Sequence, residues 1–370
     1  MVKKLLSCFI NIDVNSRSDD FYGNTALHLA ASLGYLAIIQ ELLNKGANVD
    51  IKNRYGDTAL CFLAKSGDLS TVQFLVSKGA DVNLMGEFSF PLHYAAKSGH
   101  LEVMKFLISN GANKNAENKY GSTPIQLAAR LGRLDIIKFL LDRGVHVDMK
   151  SEDGGFLLIF ASRSGNLETI KFLIDKGADV NAKPQAGVIP LHEAVQSGNL
   201  AAVEFLVNNG ADINAEDKNY ATPLHFAGHS RNLAIVELLV CNGAYLHVKN
   251  IYGKTPLHYA VESGISEITE FLVGNGADLH AEDKYGKTQL DYAMWSDNLE
   301  IGAFLIDKGA NLNAIDKDGK TLLHQAVNDG SINFIKLLIE RGADVNARDE
   351  YDGFTPLYDL LDRLWYHLMY

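Results

Sequence analysis

A unit of about 33 residues repeats along this chain, and no other feature restricts its fold as strongly. Successive copies, aligned on a position that holds proline in six of them, lie 33 residues apart except for one spacing of 32 and one of 34. Such a period is typical of stacked repeats, in which each unit contacts only its neighbours, so we predict one array instead of two or three separate domains. The aligned positions are Ala26, Ala59, Pro91, Pro124, Leu157, Pro190, Pro223, Pro256, Gln289, Leu322 and Pro356.

The copy that begins at Thr255 shows what each unit should form. Thr255 stands where a helix would start and its hydroxyl can cap the first turn, while Pro256 suits the first helical position. Leu257 and Ala260 place one large and one small apolar side chain on the same helix face. Gly264 is suited to end this short helix in a left-handed conformation. The pattern predicts a helix whose apolar face allows a close neighbour.

A second helix is predicted over Glu267–Val273, stopping at Gly276, before the turn Ala277–His280. Together the elements Thr-Pro-Leu-His-x-Ala and Gly-Ala-Asp-Val-Asn resemble the ankyrin repeat, and the resemblance covers nearly all of the chain. It implies an all-α fold: an ankyrin-repeat α-solenoid of helix-turn-helix units with β-hairpin-like loops in a curved stack.

The resemblance divides the chain into three parts. Residues 1–19 are expected to be an N-terminal half-repeat cap, because Ile12–Asn15 matches Ala80–Asn83. Residues 350–370 are expected to be a partial repeat that ends in a capping helix. Between them, residues 20–349 should hold ten repeats, which start near positions 20, 53, 85, 118, 151, 184, 217, 250, 283 and 316.

Both ends have a second interpretation. Lys3 and Lys4 before Leu5–Cys8 resemble a bacterial lipoprotein signal, although the apolar segment is shorter than a secretory signal needs. At the other end, the run Tyr358–Tyr370 could be a docking helix or the start of a further segment instead of a cap. Its apolar face is predicted to consist of Leu361, Leu364, Trp365 and Leu368.

Composition excludes several classes of function. The net charge of −11 disfavours nucleic-acid or anionic-membrane binding, which needs a positive field. Cys8, Cys61 and Cys241 lie far apart and indicate neither a disulfide framework nor a zinc site. Since no Asn-x-Ser/Thr sequon occurs either, we expect an intracellular, cytoplasmic protein. The longest apolar run, Phe156–Ala161, is too short for membrane insertion.

Apolar residues replace the helix-start hydroxyl in three repeats, at Phe90, Phe156 and Ile189. Each change forgoes a cap that is worth about 0.5–2 kcal/mol. These side chains either fill space under the hairpins or form a recognition patch. Phe88 and Val188 add apolar groups where the family's turn is exposed, so the same two interpretations apply to them.

In the ankyrin fold, the resemblance implies, partners bind a concave face lined by hairpin tips and first helices. One position near the end of each first helix is basic in four consecutive repeats, which suits an acidic partner segment. The other interpretation is that these residues only keep the groove soluble. The row reads Ser32, Lys65, Lys97, Arg130, Arg163, Gln196, His229, Glu262, Trp295 and Asn328.

Aromatic residues are further candidates for partner contacts. Trp295 in this row is a candidate hot spot, or it packs on a neighbouring hairpin. Tyrosine also recurs at one hairpin position and supplies contact area with a polar end, although it can equally serve hairpin packing. These tyrosines are Tyr22, Tyr55, Tyr120, Tyr252 and Tyr285.

Catalytic and metal motifs are weak. His225 and His229 have the i, i+4 spacing of some zinc sites, but no carboxylate completes the pattern, and His225 is the family's loop-bracing histidine. No phosphate loop, nucleophile elbow or paired catalytic carboxylates occur in the sequence. We therefore expect no metal, no cofactor and no enzymatic activity.

The sequence favours a non-enzymatic, monomeric scaffold that binds a partner protein on its concave face. The contact segment of the partner should be acidic near the four basic residues and apolar near Phe88, Val188 or Trp295. The alternative is the ankyrin region of a larger enzyme or toxin, or an effector that an intracellular microbe directs into the host cytosol.

Overall fold

A computed structural model describes residues 13–147, 156–350 and 352–369, without the side chains of residues 363–369. These described residues form 21 helices, and most of the rest is turn. The helices are α1 (Ala26–Ser32), α2 (Leu36–Asn44), α3 (Ala59–Ser66), α4 (Leu69–Ser77), α5 (Pro91–Ser98), α6 (Leu101–Ser109), α7 (Pro124–Arg130), α8 (Leu134–Asp142), α9 (Leu157–Ser164), α10 (Leu167–Asp175), α11 (Pro190–Ser197), α12 (Leu200–Asn208), α13 (Pro223–His229), α14 (Leu233–Cys241), α15 (Pro256–Ser263), α16 (Ser266–Gly274), α17 (Gln289–Trp295), α18 (Leu299–Asp307), α19 (Leu322–Asp329), α20 (Ile332–Glu340) and α21 (Pro356–Met369).

The chain forms two compact units, residues 1–184 and 185–370. In the first unit α1, α3, α5, α7 and α9 pack in succession, and in the second α11, α13, α15, α17, α19 and α21 do the same. Each of these first helices, apart from α21, also packs against the second helix that follows it. The predicted all-α architecture of helix-turn-helix repeats is confirmed.

The large apolar residue one place after the proline position forms the centre of each helix pair. Its side chain is at most 2% exposed in every helix pair, and burying a residue of this size stabilises the fold by roughly 1.5–3 kcal/mol. The residue three places later is alanine in nearly every repeat, which lets adjacent first helices approach closely. The ten buried residues are Leu27, Leu60, Leu92, Ile125, Leu158, Leu191, Leu224, Leu257, Leu290 and Leu323.

In six of the ten helix pairs, a buried histidine in the first turn connects the first helix to the next repeat. Nδ1 of His28 accepts the backbone N–H of Thr25 (3.1 Å) and lies 2.9 Å from its hydroxyl, while Nε2 lies 2.8 Å from the carbonyl oxygen of Asp57. Because the N–H can only donate and the carbonyl can only accept, the ring is neutral with its proton on Nε2. The bracing of loop backbone that the resemblance implies for His225 is confirmed. The same bridge forms at His28, His93, His192, His258 and His324.

Burial lowers the pKa of His93, His225 and His258 to about 4. In the unfolded chain a histidine binds its proton near pH 6.5. Below that pH the unfolded state therefore binds more protons than the folded state, and stability falls. Each such histidine should make the free energy of unfolding drop by roughly 1.4 kcal/mol per pH unit between about pH 6.5 and 4.

We predict that His258→Gln lowers the slope of the free energy of unfolding against pH by roughly 1.4 kcal/mol per pH unit. Glutamine is a suitable replacement, because Gln126 occupies the same position in α7 and its Oε1 accepts the N–H of Thr123 at 2.8 Å. Urea unfolding of both proteins at pH 6.5, 5.5 and 5.0 measures the two slopes. Equal slopes would contradict the assignment of the titration to this histidine.

In seven of the described hairpins, one buried or nearly buried Asn or Asp side chain closes the turn. Oδ1 of Asn53 accepts the backbone N–H groups of Tyr55 and Asp57 at 3.0 and 2.9 Å. Asp349 is only 6% exposed, and its Oδ1 accepts the backbone N–H groups of Asp352 and Phe354, both at 3.1 Å. The residues in this role are Asn53, Asn118, Asp217, Asn250, Asp283, Asp316 and Asp349.

The turn between the two helices of a repeat needs a left-handed residue, which is usually glycine, as at Gly264 (φ 73°). Arg231 and Asp297 replace that glycine and still adopt φ values of 55° and 50°. A residue with a Cβ is strained in this region by roughly 1–2 kcal/mol. The two turns thus keep their conformation at an energetic cost.

Arg231→Gly should therefore raise the free energy of unfolding by roughly 0.5–1 kcal/mol, after allowing for the greater freedom of glycine in the unfolded chain. Gly264→Ala is the matched control, since a Cβ there meets only Asn298 Nδ2 at 3.6 Å, so its cost comes from the backbone alone. Denaturant titration should show changes of opposite sign. A loss of stability in Arg231→Gly would contradict the strain argument.

Parts of three sequence predictions lie outside the described residues. They are residues 1–12 of the predicted cap, the predicted repeat start near residue 151, and the side chains of Leu364, Trp365 and Leu368. Helix α21 packs on α19, and Leu361 on it is 56% exposed. Within the described ranges, no helix combines the length and apolar character needed to cross a bilayer.

Candidate protein-binding surface

The four basic residues of the row lie in the first unit at the C-terminal ends of α3, α5, α7 and α9. Each one is exposed, because the sixth residue after the proline position turns away from the buried leucine face. The guanidinium of Arg130 lies over the ring of Phe160 in the next repeat, 4.9 Å from its centroid. At Arg130 the row therefore combines positive charge with an aromatic ring beneath it.

A cavity of about 440 Å³ lies beside two members of this row. Phe88, Lys97, Tyr120 and Arg130 line it, and the Phe88 and Tyr120 rings stack with centroids 5.9 Å apart and planes 4° apart. Lys119 Nζ lies 4.9 Å from the centroid of the Phe88 ring. The structure thus brings predicted hairpin and helix residues together in one aromatic and cationic pocket.

The other apolar substitutions at helix starts have different surroundings. Ile189 is buried, and its N–H donates to Nδ1 of His192 at 3.2 Å, so the histidine cap survives the loss of the hydroxyl. Phe90 stacks on His93, with ring centroids 5.6 Å apart. Phe156 and Val188 are half-buried. Ile189 therefore fills space under its hairpin. The hydrogen bond to His192 replaces part of the helix cap that the missing hydroxyl would have provided.

The hairpin tyrosines form two groups. Tyr55 packs against Phe21 and Tyr22, with ring centroids 5.4 and 5.7 Å away, which accounts for its partial burial. In the second unit, Lys284 lies 4.6 Å from the centroid of Tyr252 and 4.9 Å from that of Tyr285. Both of these tyrosines stay exposed.

Trp295 lies at the end of α17, where its side chain is 50% exposed. Its ring meets that of Tyr292 edge to face at 5.2 Å, and Lys287 Nζ lies 5.7 Å from its centroid. It lines a cavity of about 840 Å³ that also contains Lys254 and Lys287. Both lysines are paired, with Glu262 at 2.8 Å and with Asp316 at 2.7 Å, so the lining is less positive than its lysines suggest.

His225 and His229 do not form a pair of free ligands. The ring nitrogens of His225 already contact Thr222 and the Lys254 carbonyl, whereas exposed His229 meets the Tyr259 ring edge to face at 5.0 Å. Across the part of the chain that the structure describes, no group of three or more His, Cys, Asp or Glu side chains is placed to hold a metal ion.

Cys61 is buried, and burial raises the pKa of its thiol to about 11. At neutral pH it is therefore a protonated thiol with little nucleophilic character.

The two units differ strongly in net charge, and the net charge of the whole chain does not show this difference. Residues 1–184 contain 21 Lys and Arg against 19 Asp and Glu, a net charge of +2, whereas residues 185–370 contain 13 against 26, a net charge of −13. The basic row belongs to the first unit. The second unit contains other predicted site residues, among them His229, Tyr252, Tyr285 and Trp295.

Comparison with known proteins agrees with this architecture. The family described as "Ankyrin repeats (3 copies)" matches residues 1–86, 87–153, 144–217, 191–283 and 224–316, and "Ankyrin repeats (many copies)" matches residues 305–357. No curated protein sequence matches the chain significantly.

Among solved structures, the crystal structure of the human ASB11 ankyrin repeat domain is similar, with a TM-score of 0.55 and 24% identity over 60% of this chain and 99% of that chain. At this identity the likeness concerns the fold alone. The family matches extend over almost the whole sequence and agree with the helix pairs and the histidine bridges. The chain therefore belongs to the ankyrin-repeat family.

Proposed function

We propose that this protein is a non-enzymatic scaffold that binds a partner protein on the face formed by its first helices and hairpin tips. Ankyrin repeats generally mediate interactions between proteins, and the fold is typically non-enzymatic. The observation that carries the proposal is the row of exposed basic residues Lys65, Lys97, Arg130 and Arg163, one in each of four consecutive repeats.

The partner segment on the first unit is acidic. A carboxylate that approaches the cavity beside Lys97 and Arg130 meets two cations, while the stacked Phe88 and Tyr120 offer apolar area for a neighbouring side chain. Histidine bridges and hairpin bonds hold this surface in place before a partner arrives. Binding therefore requires little ordering of the protein itself, which favours affinity.

Apolar and aromatic contacts supplement this charged contact. Trp295 has half of its side chain exposed beside a large cavity, and Tyr252 and Tyr285 lie exposed on nearby hairpins. Aromatic side chains of this kind contribute a large share of the binding energy in protein interfaces. Val188, half-buried next to the buried Ile189, supplies a smaller apolar contact. The protein acts as a monomer that offers these surfaces to one partner chain.

The test compares two variants with equal changes in charge. The row variant carries Lys65→Glu, Lys97→Glu, Arg130→Glu and Arg163→Glu. The control variant changes four basic residues on or next to second helices of the same unit, namely Lys78, Lys105, Lys138 and Lys171, each to Glu. Circular dichroism first establishes that both variants fold.

Binding of a fluorescein-labelled twelve-residue peptide rich in glutamate is then measured by anisotropy. We expect the row variant to lose roughly ten- to a hundredfold in affinity, since each exposed ion pair contributes about 0.2–1 kcal/mol. The control variant should lose much less. Equal losses in the two variants, or no loss in either, would refute a role for the row in binding.

A further inference from the structure

A second cavity, of about 410 Å³, lies in the second unit and is aromatic but lacks lysine and arginine. Phe226, His229, Tyr252 and Tyr259 supply its rings, and Asp217 supplies one carboxylate. Only 9% of the Asp217 side chain is exposed. The lining provides no lysine or arginine to pair with this carboxylate, so a positively charged group from a partner would meet no internal competitor there.

One carboxylate oxygen of Asp217 has its hydrogen bonds and the other does not. Oδ1 accepts the backbone N–H groups of Asn219 and Ala221, both at 2.8 Å, and so closes the hairpin. Oδ2 has no hydrogen-bond donor within the described residues. Phe226, nine residues after Asp217, has no polar side-chain atom that could donate to it.

In each of the next three repeats, the residue nine places after the hairpin Asn or Asp has a polar side chain that hydrogen-bonds to it. Nδ2 of Asn250 donates to the hydroxyl of Tyr259 at 2.8 Å. The hydroxyl of Tyr292 donates to Oδ2 of Asp283 at 2.7 Å. Nε2 of Gln325 donates to Oδ2 of Asp316 at 3.2 Å, beside Lys287. Among these four repeats, Asp217 is therefore the one whose carboxylate oxygen is left open toward a cavity.

The equivalent cavity of the first unit has its own cation. Three repeats earlier, Arg130 stands where the second unit has His229, and Asn118 stands where it has Asp217. Arg130 lies over Phe160, the ring that corresponds to Tyr259, at 4.9 Å. The second unit thus keeps the aromatic ring and gains a carboxylate, but has no guanidinium of its own in the lining.

We propose that this cavity binds the guanidinium group of an arginine side chain from a partner protein. The planar cation can stack on the Tyr259 or Phe226 ring and donate to Oδ2 of Asp217, which satisfies the remaining acceptor. Arginine fits better than lysine, since its planar group can stack and donate at once. The net charge of −13 on residues 185–370 attracts a basic segment.

Lys254 is the nearest competing cation in the structure. Its Nζ lies 5.4 Å from the centroid of Tyr259, but it lines the neighbouring cavity, where it pairs with Glu262 at 2.8 Å. It therefore leaves the Asp217 carboxylate unneutralised. This inference goes beyond the acidic contact of the first unit and does not depend on it.

The test uses the full chain and two small probes, Nα-acetyl-arginine methylamide and its citrulline counterpart, which has the same shape without the charge. Nuclear magnetic resonance titration should show shifts of the Ala221, Phe226 and Tyr259 amides with the arginine probe. The citrulline probe should bind about tenfold more weakly or worse. Equal binding of the two probes, or no binding of either, would overturn the proposal.

Asp217→Asn removes the charge and preserves the hairpin, because Asn53, Asn118 and Asn250 make the same two backbone bonds. It should abolish the preference for arginine over citrulline. His229→Arg reproduces the Arg130 arrangement and should block the arginine probe with an internal cation. Unchanged arginine binding in Asp217→Asn would overturn the proposal.

The row variant of the first unit separates the two proposals. It should bind the arginine probe as the wild type does, since its four substitutions lie outside residues 185–370. Loss of the acidic peptide together with normal arginine binding supports both proposals. Loss of arginine binding in the row variant would contradict the assignment of the probe to the Asp217 cavity.

Discussion

The bridge from a first-turn histidine to the hairpin of the next repeat, present in six of the ten helix pairs, is the interaction that sets how neighbouring repeats are positioned. It caps the start of its own helix through Nδ1 and fixes the following hairpin through Nε2. Leucine burial supplies more stabilisation, but it is not directional and would allow neighbouring repeats to slide or rotate. The hydrogen bonds of the histidine are directional, so they fix the position of each repeat relative to the next. The hairpin tips are held in place as a result.

This register explains why the candidate surfaces lie at equivalent positions in different repeats. Because each repeat places its sixth residue after the proline position at the end of a first helix, substitution there changes chemistry without changing geometry. The pair Arg130 and Phe160 occupies the same positions in its repeats as the pair His229 and Tyr259. Only the first pair contributes a guanidinium to its cavity. A single fold thus offers a cationic cavity in one unit and an anionic one in the other.

Much of this fold could be predicted from the sequence because its signals repeat. The period, the buried leucine and the bracing histidine each recur, so chance agreement in one copy is corrected by the others. Helix starts and ends were fixed by Thr, Pro and Gly at constant spacing. The sequence also marks Phe90, Phe156 and Ile189 as departures at the helix start, but it does not show what each substitution does to the structure.

Those effects depend on neighbours in space, which a single repeat does not reveal. Asp291 takes the place of histidine in α17, and its Oδ2 receives the N–H and hydroxyl of Thr288 at 2.9 and 2.8 Å, so the cap is preserved by another group. Burial raises the pKa of this carboxyl group. The open oxygen of Asp217 was missed for a related reason, since it follows from a phenylalanine nine residues away that cannot donate.

Two departures from the repeat pattern lie beside the Asp217 cavity. Tyr220 replaces a hairpin glycine and adopts φ 58°, between Asn219 and Ala221, whose N–H groups hold Asp217. Gly228 replaces a small side chain where a Cβ would come within 3.0 Å of Tyr259 Cβ, so α13 and α15 lie close together. A bulky residue in a left-handed conformation costs energy, and such strain is concentrated at functional sites. Both departures thus lie beside the cavity whose chemistry differs between the two units, as selection for a ligand, instead of for stability alone, would produce.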